Sequence, residues 1–345
     1  MNNFLIIGGG LAGILTAYNL LLRDNSLSIK IIDNSFDSAA WRVAAGIINP
    51  VSGKRIVKTV NAEEILASIV HLNNTLHKQS GETFFHPKPI LRVFRDISEQ
   101  NAWNKKLNNT VEYEEWIEEY DTAFLHTPYG CGIIKKGGYL DIRGLLKTIM
   151  HIITDKVTFH TSIFAANSYN KCNYTKEANT IIMCYGWEMM YNPLWSFLPF
   201  APFKGEVLTV KIPEQLSDNF ILNNGTYFLP LFNGTARIGA TIEHNQLDYM
   251  PTEKAKNRLL QDFFSITGII PEVIEHKAGI RPGIEDRYPV IGKHPHHNNI
   301  FILNGLGGRG AFYAPYCSSL LADFLLSEKE IPAQYSVHRY YHLYR

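Results

Sequence analysis

The sequence predicts an α/β protein, α+β overall. A dinucleotide-binding domain carries an inserted domain built on a mixed antiparallel β-sheet. Three observations predict this. Residues 4–33 read as strand, glycine turn, helix and strand. The texture changes at residue 205, where short alternating strands with Gly/Asn turns begin. Near the C-terminus a strand, a glycine loop and a helix return. A chain of 345 residues with 46% hydrophobic and 19% charged residues can bury more than one compact core.

The elements follow in order. Residues 4–7 form an apolar strand, 8–13 a turn, 11–22 an apolar-periodic helix, and 28–32 a second strand ending at Asp33. That is one βαβ unit. Residues 62–78 have the spacing of an amphipathic helix, and 90–94 that of a strand. The polar, charged and aromatic stretch 101–119 reads as an exposed helix. Residues 141–153 read as a helix, 157–159 and 180–184 as strands. Residues 205–210, 227–231 and 236–240 read as antiparallel strands, followed by a helix at 253–267. A last strand at 299–303 leads to a last helix at 314–326. The expected nucleotide-binding domain takes residues 1–80, 139–200 and 277–345, and the inserted cap takes 81–138 and 201–276.

Bulk charge narrows the partners. Lys and Arg number 33 against 32 Asp and Glu, a formal net charge of +1 with no long basic run. Nothing in that balance asks for stable nucleic-acid binding or an anionic membrane. The four cysteines, Cys131, Cys172, Cys184 and Cys317, form no CxxC pair, so neither a disulfide framework nor a zinc site is expected. Residues 4–22 are apolar, but glycines interrupt them early and no basic residue precedes them. They read as strand, turn and helix, with no transmembrane segment and a cytoplasmic location expected.

Gly8-Gly9-Gly10-Leu11-Ala12-Gly13 spells GxGxxG between the first strand and the first helix. Asp33 follows 20 residues beyond Gly13, at the end of the next strand. This is the Rossmann-like fingerprint. Gly8 permits a tight turn, Gly10 lets the backbone approach a pyrophosphate, and Gly13 lets the helix pack on the strand. The amides of Leu11 and Ala12 at the helix start face the phosphates. Asp33 suits ribose hydroxyls and repels a 2′-phosphate. The motif alone leaves FAD and NAD both open.

Gly305-Leu306-Gly307-Gly308-Arg309-Gly310 repeats the spacing, but no strand follows it. It reads as a glycine-rich strand-to-helix junction rather than a second nucleotide site. His294-Pro295-His296-His297 lacks neighbouring carboxylates or thiolates, so no metal is expected. Trp187, Tyr191, Trp195, Phe197 and Phe200 form an aromatic cluster suited to core packing, a domain hinge or a pocket wall. No Gly-x-Ser-x-Gly elbow and no His-Glu-x-x-His helix is present.

Three regions together resemble the D-amino-acid oxidase superfamily of FAD-dependent oxidoreductases, which includes glycine and sarcosine oxidases and the flavin domain of a tRNA wobble-uridine modification enzyme. They are the N-terminal fingerprint, Ala44-Ala45-Gly46-Ile47-Ile48-Asn49-Pro50, and the run from Ala278-Gly279-Ile280-Arg281-Pro282-Gly283 to Gly305–Gly310. The resemblance implies that Gly8, Gly10, Leu11, Ala12 and Gly13 hold the FAD pyrophosphate, and Asp33 with Asn34 the ribose. It places Ala44, Ala45, Gly46 and Ile47 beside the flavin ring and Ile163 beside the adenine. Cys184, Gly186 and Trp187 match a second nucleotide-side turn, and Gly307, Gly308, Arg309 and Gly310 approach the ring from the other side. Arg281 would bind a substrate carboxylate through its guanidinium fork, the alternative being an ion pair to Glu285 or Asp286. Arg309 would serve flavin or substrate, the alternative being a solvent-facing side chain. Tyr227 and Tyr249, in the cap, are weaker candidates for contacting substrate. Sarcosine-oxidase relatives attach FAD through a cysteine after the Arg-Pro motif; residues 285–289 hold none, so FAD is expected to be non-covalent.

The implied activity is oxidation of the C–N bond of a small amino acid or secondary amine by hydride transfer to flavin N5, with oxygen, a quinone or another carrier as final acceptor. Two other readings stand beside it: oxidation of a tRNA wobble-uridine side chain, and a flavin-binding protein without catalysis.

Overall fold

The computed structural model describes residues 3–34, 39–108, 110–122, 125–162, 178–212, 219–232 and 234–344. At its centre a six-stranded sheet runs Val157–Thr161, Ser28–Asp33, Asn3–Ile7, Thr180–Met183, Ile300–Asn304, Val290–Lys293. The first five strands are parallel and the last is antiparallel. Parallel strands covered on both faces must be apolar throughout, and Phe4–Ile7, Ile181–Met183 and Ile300–Asn304 are buried along their lengths. Helices Leu11–Arg23 and Gly310–Ser327 pack together on one face, and Asn19 Nδ2 donates to Ser318 Oγ between them at 3.0 Å. Strand Asn3–Ile7 has Ser28–Asp33 on one side and the much later Thr180–Met183 on the other. Such a switch in strand order leaves a crevice at the carboxyl ends of the strands.

An eight-stranded sheet forms the second layer, in the order Val273–Arg281, Phe203–Lys211, Thr235–Gly239, Tyr227–Pro230, Ile221–Asn223, Ile90–Val93, Cys131–Ile134, Ile117–Tyr120. Two distant stretches of chain meet where Ile221–Asn223 runs parallel to Ile90–Val93. One face packs on helix Glu253–Thr267 through Leu208, Val210, Phe228, Ile238, Leu259 and Phe263. That helix starts where Thr252 accepts the Ala255 N–H and stops at Gly268, whose φ of +68° suits only glycine well.

Three expectations change. Residues 101–119 are not one exposed helix: helix Ile97–Leu107 is followed by the short helix Thr110–Tyr113 and by edge strand Ile117–Tyr120. Glu99 and Trp103 are 0% and 1% exposed. Glu99 pairs with Arg92 at 3.1 Å and also with Arg95, and Trp103 lies over Gly132, where a Cβ would enter its ring. Within 101–119 the charges stay outside, as at Lys105, Glu114, Glu115, Glu118 and Glu119, while Trp103, Tyr113, Trp116 and Ile117 turn inward. Strand Val273–Arg281 leaves little signal in the sequence, because Glu275, His276 and Lys277 break the apolar alternation; the expected boundary between 276 and 277 falls inside it. The last helix begins at Gly310, four residues before the expected start at 314.

The aromatic cluster divides. Trp195, Phe197 and Phe200 pack beneath the parallel sheet, Tyr191 is 60% exposed, and Trp187 turns towards the crevice. His294 joins the packed part, its ring 4.9 Å from that of Trp195. Its Nδ1 accepts the His296 N–H at 3.1 Å, which leaves Nε2 to donate to Leu194 O at 2.8 Å. Both nitrogens of this neutral ring are occupied by the fold. Burial pushes the His294 pKa down to about 4, whereas an unfolded histidine titrates near about 6.5. The unfolded chain therefore binds the extra proton first as pH falls, and His294 destabilises the fold progressively from the higher value down to the lower. Urea unfolding between these two pH values should show stability falling with acidity, and His294→Asn should flatten that slope.

Candidate active site

The crevice between the two sheets is a cleft of about 390 Å³, in the ~300–1,000 Å³ range of small-molecule sites. At one end lie Gly8, Gly10, Leu11, Ala12, Asp33, Asn34 and Ser162. Gly8 has φ +102°, and a Cβ there would sit 2.6 Å from the Cys184 backbone. A Cβ on Gly13 would overlap the Gly8 carbonyl. Gly10 differs: nothing crowds it, and its nearest neighbour would be Trp41 Cδ1 at 3.7 Å. Two glycines thus permit backbone packing and the third leaves the backbone bare to the cleft. No side chain caps the first turn of the helix, so its N–H groups and dipole are available to an anion. The indole Nε1 of Trp41 is buried beside this turn, with no hydrogen-bond partner among the described residues. Asp33 Oδ2 accepts the Gly9 N–H at 2.7 Å, which fixes the acid next to the turn.

The middle of the cleft is walled by Ala44, Ala45, Gly46 and Ile47 on one side and by Cys184, Gly186 and Trp187 on another. Gly46 has φ +76°, and a Cβ would overlap the Leu140 carbonyl. Leu140 N–H donates to Gly46 O at 2.9 Å, and Arg237 Nη1 donates to Ala44 O at 2.6 Å. Asn304 Nδ2 holds the Gly186 carbonyl at 2.9 Å. Burial pushes the Cys184 thiol up to about 12, so it stays protonated. Across the mouth, Trp187 Nε1 donates to Tyr249 OH at 2.8 Å, joining the turn after Thr180–Met183 to the segment between strand Thr235–Gly239 and helix Glu253–Thr267.

At the far end Arg281 and Tyr227 meet the loop Gly307–Gly310. Arg281 folds across Gly205, where any Cβ would collide with its guanidinium, and stacks over the Phe203 ring at 5.2 Å. Its Nη1 donates to Thr241 O at 3.1 Å. Among the described residues no carboxylate lies within ion-pair distance of it, and Asp286 pairs instead with Arg339 at 2.7 Å. Desolvation lowers its pKa, opposed by the nearby Tyr227, yet a guanidinium keeps its charge. Burial raises Tyr227 to about 12, against the pull of Arg281 and Arg237. Arg309 does not face solvent. It donates to Asn49 O at 2.8 Å, Thr59 Oγ1 at 2.7 Å and Tyr313 OH at 3.3 Å, and stacks on Phe312.

The cleft therefore gathers the residues singled out by sequence, with two exceptions. Gly13 supports it from behind, and Ile163 lies outside the described residues. Sequence reasoning missed Trp41 and Arg237. A lone charge in the apolar run Ala236-Arg237-Ile238 was the available signal for the second.

Residues 3–324 match the FAD dependent oxidoreductase family DAO. The chain belongs to that family. It is 24% identical to a glycine oxidase from Pseudomonas putida, over 96% of this chain and 97% of that one. A glycine oxidase from Geobacillus kaustophilus has the same fold, with TM-score 0.82, 19% identity and 98% and 99% of the two chains covered. The iminodiacetate oxidase from Chelativorans sp. BNC1 superposes with TM-score 0.81 at 21% identity, over 98% of each chain. The cleft fits the family's cofactor: bare Gly10, the uncapped helix start and the unpartnered Trp41 N–H suit a pyrophosphate, and Asp33 suits a ribose. No helix among the described residues is long and apolar enough to cross a membrane.

The guanidinium of Arg309 ties the glycine loop to Asn49 and Thr59, so its planar fork positions the loop. Arg309→Lys keeps the charge and loses the fork. Fluorescence titration should show FAD binding weakened about tenfold, as expected for ~1–2 kcal/mol of lost hydrogen bonding.

Proposed function

We propose that this chain oxidises the C–N bond of a small amino acid or secondary amine of the glycine or N-alkyl glycine type. One observation carries the reading: a desolvated guanidinium, Arg281, opens on the cleft beside the glycine loop without a carboxylate of its own. Leaving such a charge uncompensated is costly, and a substrate carboxylate would compensate it with charge-assisted hydrogen bonds. The names of the similar oxidases point to the same substrate class.

On this reading residues 81–138 and 201–276 act as the cap over the reacting atoms. Bound FAD would supply the two-electron oxidation. The protein's task is placement: Arg281 orients the carboxylate, and Gly205 keeps the space that its side chain needs. Tyr227, neutral because of its burial, offers a hydroxyl donor; among the described residues that hydroxyl has no hydrogen-bond partner. The apolar walls Val207, Ile47 and Leu306 exclude water from the same end.

Anaerobic mixing of the FAD-loaded protein with a panel of amino acids and N-alkyl glycines tests the reading by flavin bleaching. Bleaching by at least one is expected, and the rate of recolouring in oxygen then separates oxidase from dehydrogenase. A flavin that no amine reduces would leave a binding role in place of catalysis. Arg281→Met should raise KM for the bleaching substrate about 100-fold, the scale of a lost charge-assisted pair, and affect an amine without a carboxylate far less. Tyr227→Phe should lower kcat/KM and leave the shape of its pH profile unchanged up to about pH 10, because the phenol titrates near 12.

A further inference from the structure

A second cavity, of about 250 Å³, adjoins the cleft, and Ala44, Ala45 and Ile142 line both. Arg237 and Arg143 line it from opposite layers, one on the cap sheet and one on helix Ile142–Ile153. Arg237 shares a strand face with Gly239, the register partner of Tyr227, while Ala236 and Ile238 pack the other way under helix Glu253–Thr267. Its guanidinium makes one hydrogen bond among the described residues, to Ala44 O. Among the described residues no carboxylate lies within ion-pair distance of it. Arg143 donates only to Arg42 O and likewise has no carboxylate partner among the described residues. The acid on this cavity, Asp141, is engaged in capping: it accepts the Gly144 N–H at 3.1 Å. Burial lowers the Arg237 pKa and repulsion by Arg143 lowers it further, with Tyr227, Glu275 and Asp141 opposing in part. His86, stacked on Tyr139 at 4.7 Å and edge-on to Phe232 at 5.4 Å, supplies a flat apolar wall.

We propose that this cavity is a subsite for a second acidic group of the substrate, carried on the far end of its N-substituent and held between Arg237 and Arg143. The assignment of the bound molecule rests on the amine-oxidation reading above. Two guanidinium groups converging on one cavity repel each other, and an anion between them removes that cost and gains bidentate hydrogen bonds. Sheet register sets the span. The Arg281 guanidinium lies over Gly205, and the Arg237 backbone pairs with Thr209, four residues along the same strand, so the two backbone positions stand about 13 Å apart at ~3.3 Å per residue. Glycine or N-methylglycine is too short to touch both. The favoured class is an N-substituted glycine with a terminal acid on a chain several carbons long.

Calorimetric titration of the FAD-loaded protein with suberate and with octanoate tests the subsite without turnover, since the two differ only in the second acid. The wild type should bind suberate about tenfold more tightly. Arg237→Met and Arg143→Met should each reduce that preference to about twofold or less, and Arg143, being exposed, provides a variant that leaves the core intact. Equal binding of the two probes by the wild type, or a preference that survives both substitutions, would overturn the proposal. The same variants should lower the kcat/KM ratio of N-(ω-carboxypentyl)glycine to N-pentylglycine by a similar factor. A flavin that no amine of the panel reduces, with the suberate preference present and lost in the variants, would remove the amine-oxidation reading and keep the anion subsite.

Discussion

Backbone packed directly on backbone at the first glycine turn is the constraint from which the site follows. Gly13 lies against the Gly8 carbonyl and Gly8 against the Cys184 backbone, with no room for a side chain at either place. Gly8 N–H donates to Ile32 O at 2.8 Å, and Cys184 N–H to Ile7 O at 2.7 Å. Three neighbouring strands are thereby locked where their order switches. The start of helix Leu11–Arg23 is held over their carboxyl ends, and its unsatisfied N–H groups open into the cleft instead of onto a side chain.

The eight-stranded sheet solves a different problem, that of bringing cations into a low-dielectric space. Strand Phe203–Lys211 alternates sharply. Gly205 and Val207 line the cleft, while Lys204 and Glu206 are buried on the opposite side. Lys204 Nζ donates to Asp248 at 2.6 Å, and Glu206 accepts the Thr252 N–H at 2.7 Å. These contacts secure the segment that carries Tyr249 to Trp187. On the cleft side the absence of a Cβ at Gly205 makes room for Arg281. A charged network behind the strand and an empty position in front of it thus act on one residue's placement, and a period of two separates them.

The arginines illustrate how residue type and residue role part company. Arg281 and Arg237 reach the cleft and its neighbouring cavity with donors to spare, whereas Arg309 spends its fork on backbone and hydroxyl oxygens. All three have their pKa lowered chiefly by desolvation. What separates them is the set of acceptors each finds: Thr241 O for the first, Ala44 O for the second, and three oxygens for the third.

The sequence by itself determined the nucleotide end. GxGxxG, the strand before it, the helix after it and Asp33 are local in the chain, so their spacing is readable there, even though the demand on Gly8 comes from the distant Cys184 backbone. Helix Glu253–Thr267 was legible for the same reason, through Thr252 at its start and Gly268 at its end. Tertiary structure alone decided what the eight-stranded sheet brings to the cleft and its neighbouring cavity. Strand Val273–Arg281, the packing of Trp103 over Gly132, and the meeting of Arg237 with Ala44 all depend on partners from about thirty to nearly two hundred residues away. A polar residue reads as exposed until its distant partner is known, because burial is a property of the pair. For that reason the first glycine turn could be read directly, and the meeting of Arg237 and Arg143 at one cavity could not.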